Sequence, residues 1–582
     1  MRVKKFRVPW FATAALACAL VASQQSIGHA EAPGELEAES ETGIPVTDDL
    51  VREKCGTCHA PDDKGNLSRI SWMRTTPEGW SQSIKRMVSL NGLYVTPEES
   101  RAIVRSLSAT HGLAPEEAMA VAYIPEKRIL TETNIPSEEV RGACASCHAF
   151  GQPLSWRRSK VEWKNLQDFH VALYSQAHAQ YSRVLGADEG NGSDDDSKPK
   201  KKTNGEAALE YMRTSAPLHT PQWAAWSARQ SKPRLTGTWL VTASLPGKGR
   251  FVGEMAVAPG KSADEFSTTT TLRSITDGSV QTRKGLGLVY GGYAWRGRSD
   301  AQAAPRGPDD MLNTVRETMH FSPDQQGALG RWFWGEYHEF GFDVKLTRAT
   351  AAPAVLAVSP GAVKTGTRGA EVVVWGHNLP VSTAAADVDL GSGVTVRKVV
   401  SADPGKLVLN VDVAGDAIAG VRDVAVGGAI LEKALPVYGK VDFIKVTPDA
   451  GTARLGGVKF AKGFQQFEAI GYANGPDGKP NTADDIAIGP VDATWSMNEF
   501  MSVWYDDDQK FVGELSQNAL FTPAVEGPNP QRRFGRNNYG EVWVVATAKS
   551  EKDRFGKPLS GRAYLVVTVP SYQRWDQPEL AK

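Results

Sequence analysis

Two pentapeptides constrain this chain more than anything else in it: Cys55-Gly56-Thr57-Cys58-His59 and Cys144-Ala145-Ser146-Cys147-His148. In each, two thiols stand three positions apart and a histidine follows the second. On one helical turn that spacing lets both thiols reach the edge of a haem as thioethers while the imidazole takes the iron from the proximal side. The chain has only five cysteines, and the fifth, Cys18, lies in a segment expected to be removed. The competing use of the other four is a zinc site, but an all-thiolate zinc site needs no adjoining histidine. The spacing predicts two covalently bound haems c, attached at Cys55, Cys58, Cys144 and Cys147, with His59 and His148 as iron ligands.

The N-terminus fits that chemistry. Arg2, Lys4, Lys5 and Arg7 form a basic region, Pro9 to Ala22 is apolar, and Gly28-His29-Ala30 offers small residues at the cleavage-determining positions. The apolar run is interrupted by Thr13 and is too short for a bilayer, which takes about 20 residues. Residues 1–30 are expected to be a secretory signal. Haem is attached to exported apocytochromes, so the expected location is the periplasm, with no membrane span after cleavage.

With 66 basic and 66 acidic residues the precursor is formally neutral, and loss of the four basic signal residues leaves 62 against 66. No basic stripe for nucleic acid remains; Lys198 to Lys202 closely follows Asp194-Asp195-Asp196, the pattern of a solvated loop. A length of 582 residues allows about four domains at roughly 150 residues each.

The expected organisation begins with an acidic leader, Glu31 to Thr42. A first haem unit (31–112) follows, with a helix from Asp48 to Lys54 presenting Cys55. Thr96-Pro97-Glu98-Glu99 caps a further helix that buries Ile103, Val104 and Leu107 before Gly112. A second unit (113–216) repeats the first at an offset of 89 residues. Ser71-Trp72-Met73-Arg74 is answered by Ser155-Trp156-Arg157-Arg158, and Glu78-Gly79-Trp80 by Glu162-Trp163. Seven residues beyond Trp80 stands Met87, and seven beyond Trp163 stands His170. These are the proposed sixth iron ligands, with Met73 and His178 as alternatives. Because a thioether raises a haem potential relative to a second imidazole, the second haem is expected at lower potential, so that electrons enter there and leave from the first. Arg74 and Arg158 are expected to pair with haem propionates while Trp72 and Trp156 pack on the ring edge. Residues 187–206 read as a flexible loop ahead of a helix, Ala207 to Met212.

From about Pro217 the chain turns to short β-branched runs between Gly and Pro turns, including Gly237 to Ala243, Ser267 to Leu272 and Arg331 to Glu336. The expected fold class is α+β multidomain: an α-helical tandem cytochrome c domain, an antiparallel β-barrel (217–350), then immunoglobulin-like β-sandwich domains over 351–440 and 441–582. Asp477 to Asp485 reads as turn chemistry more readily than as a calcium loop, lacking the full EF-hand ligand set. No nucleophile elbow, phosphate loop or HExxH is present, and His320, His338 and His377 read as isolated structural histidines.

The order of signal, two CxxCH units with Thr76-Pro77-Glu78-Gly79-Trp80 and Arg86-Met87 in the first, and three β-domains resembles the alpha subunit of quinohemoprotein amine dehydrogenase. The resemblance spans nearly the whole mature chain, and its most specific motifs lie between Cys55 and His170. It implies a heterotrimer of this dihaem subunit, a β-propeller subunit, and a small subunit carrying a cysteine tryptophylquinone at which primary amines are oxidised. Electrons would pass through this chain to a soluble acceptor such as azurin or cytochrome c. All four cysteines of the mature chain being claimed by haem, the quinone must lie in another chain. The alternatives are a free-standing dihaem electron carrier and a dihaem peroxidase; two protein sixth ligands speak against the latter. The β-half is expected to be a docking scaffold, and truncation after about Ala216 to spare the haem spectra.

Overall fold

Short capped helices around a two-stranded ribbon build the N-terminal part of this computed structural model, which describes residues 39–122, 135–185, 201–457, 459–501 and 506–570. The signal segment with Cys18, residues 31–38 of the acidic leader, and residues 186–200 of the polar loop lie outside the described residues. Asp48 accepts the Val51 N–H at 3.0 Å and starts α1 (Asp49–Cys55). Thr76 caps α2 (Pro77–Asn91), which ends on the left-handed Gly92. Thr96 and Glu99 close both halves of a capping box on α3 (Pro97–Thr110), as the sequence predicts. A short α4 (Pro115–Met119) follows.

The second unit holds α5 (Glu138–Cys144), α6 (Gly151–Leu154), α7 (Lys160–Leu173), α8 (Ser175–Tyr181) and α9 (Asn204–Ser215). The two units meet through the antiparallel pair β1 (Met73–Thr75) and β2 (Trp156–Arg158), in register Met73 with Arg158, Arg74 with Arg157 and Thr75 with Trp156. This pairing corrects the sequence alignment across the ribbon. Thr76 and Ser159 are the equivalent helix caps, each accepting from the backbone N–H three residues on. The Trp80 and Trp163 indoles likewise donate to the carbonyls that end α3 and α9, those of His111 and Ala216, at 3.0 and 2.9 Å. The equivalence is therefore Arg74 with Arg157 and Met73 with Trp156. Matching Trp72 to Trp156 and Arg74 to Arg158 is off by one position, because like residue types outweigh, in the sequence, the cap that fixes the register.

After α10 (Pro221–Arg229) the chain forms a closed eight-stranded barrel. Its strands are β3 (Gly237–Leu245), β4 (Gly249–Pro259), β5 (Glu265–Ser274), β6 (Val280–Tyr290), β7 (Ala294–Ala301), β8 (Val315–Phe321), β9 (Gly327–Trp334) and β10 (Phe340–Arg348). The strands pair antiparallel in sequence order and β10 closes on β3. Alternation puts Trp239, Trp295, Phe321, Trp332 and Phe342 in one interior cluster. Gly287 is what lets Trp295 lie there, since a Cβ at that position would fall 1.9 Å from the indole.

Barrel and first haem unit share a core: Leu288, Tyr290, Tyr293 and Ala294 pack with Val51, Trp80, Ile103 and Leu107. A buried Glu78–Arg296 ion pair, an Arg105–Asp264 pair and a 2.9 Å bond from the Tyr293 hydroxyl to the Leu113 carbonyl cross the same junction.

Beyond the barrel, Ala354–Ser359, Ala370–His377, Lys406–Val413 and Val394–Asp403 form one four-stranded sheet; Val363–Lys364, Ala429–Tyr438, Gly420–Val426 and Val388–Asp389 form a second around the same valine- and leucine-rich core. The last region builds a four-stranded sheet from Ala450–Arg454, Pro558–Thr568, Gly540–Lys552 and Ala493–Glu499, with two three-stranded sheets beside it. No helix among the described residues is long and apolar enough to cross a membrane.

Candidate haem sites

Cys55 and Cys144 are the last residues of α1 and α5, so each CxxCH begins where a helix ends. At the first site the Cys58 and His59 N–H groups both return to the Cys55 carbonyl, at 3.2 and 2.9 Å, winding the motif into one more turn. The His59 Nδ1 lies 2.8 Å from the Ser68 carbonyl, which fixes the ring and leaves Nε2 for a metal. At the second site the His148 Nδ1 lies 3.1 Å from the Ala149 carbonyl. Burial pushes the Cys55 thiol up to about 11, with Cys58 adding to the shift, and the Cys144 thiol up to about 12. Among the described residues, the only group of three Cys, His, Asp or Glu whose ligand atoms lie within 4.8 Å of one another is Asp506, Asp507 and Asp508. The four cysteines do not converge on a shared centre.

Met87 is the eleventh residue of α2 and His170 the eleventh of α7, so the repeat brings the two proposed sixth ligands to the same helical position. The His170 Nδ1 lies 2.8 Å from the Leu166 carbonyl one turn back, again leaving Nε2 outward. Exposed apolar side chains neighbour both in sequence: Val88 and Leu90 on α2, Phe169, Val171 and Leu173 on α7. Thiols, thioether and imidazole nitrogens are the donor set that a haem takes. Of the alternatives, Met73 is packed in the ribbon and touches the cores of both units, while His178 sits on α8 as an exposed residue.

Of the two arginines expected to meet propionates, Arg74 is engaged elsewhere. Arg74 has no exposed surface: its Nε donates to the Leu218 carbonyl at 2.7 Å, and its terminal nitrogens donate to the Glu117 carboxylate at 2.8 and 3.1 Å and to the Gly112 carbonyl at 3.1 Å. It is a core arginine with no face to offer a propionate. Arg157, absent from the expected set, reaches the same Glu117 at 3.2 Å. Arg158 lies over the Trp156 ring at 4.4 Å, with Glu162 3.8 Å away and its buried Nε without a partner among the described atoms. The Trp72 indole donates to the Glu41 carbonyl at 2.8 Å, and Trp156 packs edge-on against Trp80 at 6.2 Å between the two units.

The remaining histidines and acids are engaged locally. His320 is buried and stacked on Tyr293, and His377 pairs with Glu254. In the Asp477 to Asp485 segment, carboxylates accept the backbone N–H groups of Lys479, Asp477 and Thr482, which is turn chemistry.

Comparison with protein families adds identity to this geometry. Residues 46–187 match the family described as quinohemoprotein amine dehydrogenase A, alpha subunit, haem binding, which makes the ribbon-linked helical region a haem-binding domain. Residues 232–349, 352–439 and 444–580 match alpha subunit domains II, III and IV of the same enzyme. The chain belongs to the family of quinohemoprotein amine dehydrogenase alpha subunits. No curated protein matches it. Among solved structures it is similar to a redesigned β-barrel (18% identity, 20% of this chain and 92% of that one, TM-score 0.17). Human protocadherin-24 EC1-2 also matches (10% identity, 38% of this chain and 99% of that one, TM-score 0.15).

Proposed function

We propose that this chain is the dihaem electron-transfer subunit of a periplasmic amine dehydrogenase, accepting electrons from a tryptophylquinone in a small partner subunit and passing them to a soluble acceptor, azurin or a cytochrome c. A β-propeller subunit completes the heterotrimer in this reading. The observation that carries it is the repetition of one site on two related helix sets: CxxCH at the end of α1 and α5, and a candidate axial ligand at the eleventh position of α2 and α7. Cys55, Cys58, Cys144 and Cys147 would hold the two haems by thioethers, and His59 with Met87 and His148 with His170 would ligate the irons. Bound in this way, haem supplies reversible one-electron exchange between ferric and ferrous iron. The protein contributes imidazole orientation through the Ser68 and Leu166 carbonyls and a β1–β2 ribbon that joins the two units.

The test is purification from the periplasmic fraction. The expected result is a chain that stains for covalent haem on a denaturing gel, has an intact mass with two haems added and the segment through Ala30 removed, and brings with it a small quinone-staining polypeptide. A chain carrying zinc and no haem overturns the site reading; a dihaem chain that transfers electrons alone, with no bound partner, favours the free-standing carrier.

A further inference from the structure

The end of α2 closes onto the residue read above as the sixth ligand of the first haem. The Gly92 and Leu93 N–H groups both return to the Met87 carbonyl, the second at 3.0 Å, and Gly92 takes φ 71° to make that closure. Asn91, the last residue of the helix, is thereby fixed one turn beyond Met87 on the same face. Its side chain uses the position: Nδ2 donates to the Met87 Sδ at 3.7 Å, a bond to a large and weakly accepting sulfur.

The second unit keeps the placement and changes the chemistry. Tyr174 stands four residues beyond His170 as Asn91 stands four beyond Met87, and its ring lies 6.1 Å from the imidazole. His170 takes its orientation from the Leu166 carbonyl through Nδ1, a bond that an imidazole can make and a thioether cannot. A methionine sulfur carries no proton, so what orients it must be a donor, and the Asn91 amide is placed as one. Of the sulfur's lone pairs, one accepts from Asn91 and another is left for iron. An N–H on sulfur withdraws electron density that ferric iron needs more than ferrous iron does, and so raises the potential of the site it serves.

We propose that Asn91 is a positioning residue for the first iron: its amide holds the Met87 Sδ in one orientation and keeps the potential of that haem high. The proposal rests on the reading of Met87 as the sixth ligand. It adds to the asymmetry of the two sites, because the place of the amide donor at one is taken by a phenol ring at the other.

The test uses the full haem-loaded chain and spectroelectrochemical titration of both haems. Asn91→Leu keeps the branching and approximate size of the side chain, removes the donor and favours helix, so its urea midpoint is expected to match wild type. At the wild-type midpoint of the first haem, its ferric-to-ferrous ratio is expected to rise about 3- to 10-fold, the equivalent of one weak hydrogen bond, with the second haem unmoved. Leucine acting through its bulk alone would exclude water and push the potential the other way, so the sign separates donor from packing. Asn91→Gln, with the amide on a longer arm, is expected to recover part of the shift. An unchanged or raised first potential in Asn91→Leu overturns the proposal, as does an equal fall in Asn91→Gln. A Met87→Leu variant that keeps the weak red absorption band of methionine-ligated ferric haem overturns the ligand reading instead, so the two failures are distinct.

Discussion

Arg74 and Arg157 stand opposite each other across the β1–β2 ribbon, and both guanidinium groups end on one carboxylate, that of Glu117. Two cations held this close inside a core repel unless an anion lies between them, and Glu117 is that anion. Burial alone would raise its carboxyl, but the hydrogen bond and charge of Arg74, with Arg157 behind, hold it below the usual carboxylate range.

Replacing Glu117 with Gln should therefore cost about 3–5 kcal/mol, the range for leaving a buried charge unpaired. The contribution of the native carboxylate is fully present above the unfolded pKa of about 4.3 and is lost as pH falls through its lower folded value. Urea unfolding of both proteins at a series of pH values checks this: the gap between them should be widest near neutrality and close in acid. A constant gap would assign the loss to packing.

His111 gives a second acid-sensitive element. It is buried, with Nε2 3.0 Å from the Ile44 carbonyl, and burial lowers its pKa to about 4, Arg74 adding to the shift against that hydrogen bond. The folded value lies below the unfolded one of about 6.5, so its contribution is complete above about pH 6.5 and falls away as pH drops toward 4. Calorimetry of His111→Gln should show a smaller loss of stability between pH 7 and 4.5 than wild type shows.

Met87→His addresses the axial ligands. With thioether replaced by a second imidazole, the potential of the first haem should fall and that of the second stay put. Spectroelectrochemical titration reads both. If only the second potential moved, the assignment of Met87 to the first iron would be wrong.

A chain ending after Ala216 tests how far the haem region stands alone. Reading the β-half as a docking scaffold predicts that such a fragment keeps its haem spectra and loses assembly. The fold, however, places the acceptor of Arg74, the Leu218 carbonyl, beyond the cut, and the cut also takes Tyr290, Tyr293 and Arg296 of the barrel from the first unit's core and its Glu78. The fragment is expected to unfold at lower urea than the full chain and to expose apolar surface to a dye such as ANS. Equal midpoints would show that the barrel only rests against the first unit.

Much of the haem region is legible in the amino-acid sequence because its signals are local. Caps at Asp48, Thr76 and Thr96 announce themselves within four residues, and CxxCH names its own chemistry. The equal intervals from Trp80 to Met87 and from Trp163 to His170 survive because a helix converts interval into face. What escapes such reading is non-local. Arg74 lies in the same kind of sequence whether it faces a propionate or Glu117, 43 positions later; only the fold brings that carboxylate in. Arg157 is hidden by its neighbour Arg158, which makes the better letter match, although the Ser159 cap already fixes the register.

The ribbon also has a consequence for how the two halves can differ. Met73 faces Arg158 as Thr75 faces Trp156, and Arg74 meets its own counterpart, the pattern of an isologous contact between identical subunits. Two separate copies of one gene product joined in this way would be bound to carry the same residue at corresponding places, and every mutation would appear twice. Written into a single polypeptide, the contact keeps its symmetry while the halves are released from it, so methionine stands at position 87 and histidine at 170. The join thus turns a pair of duplicates into two individually adjustable centres.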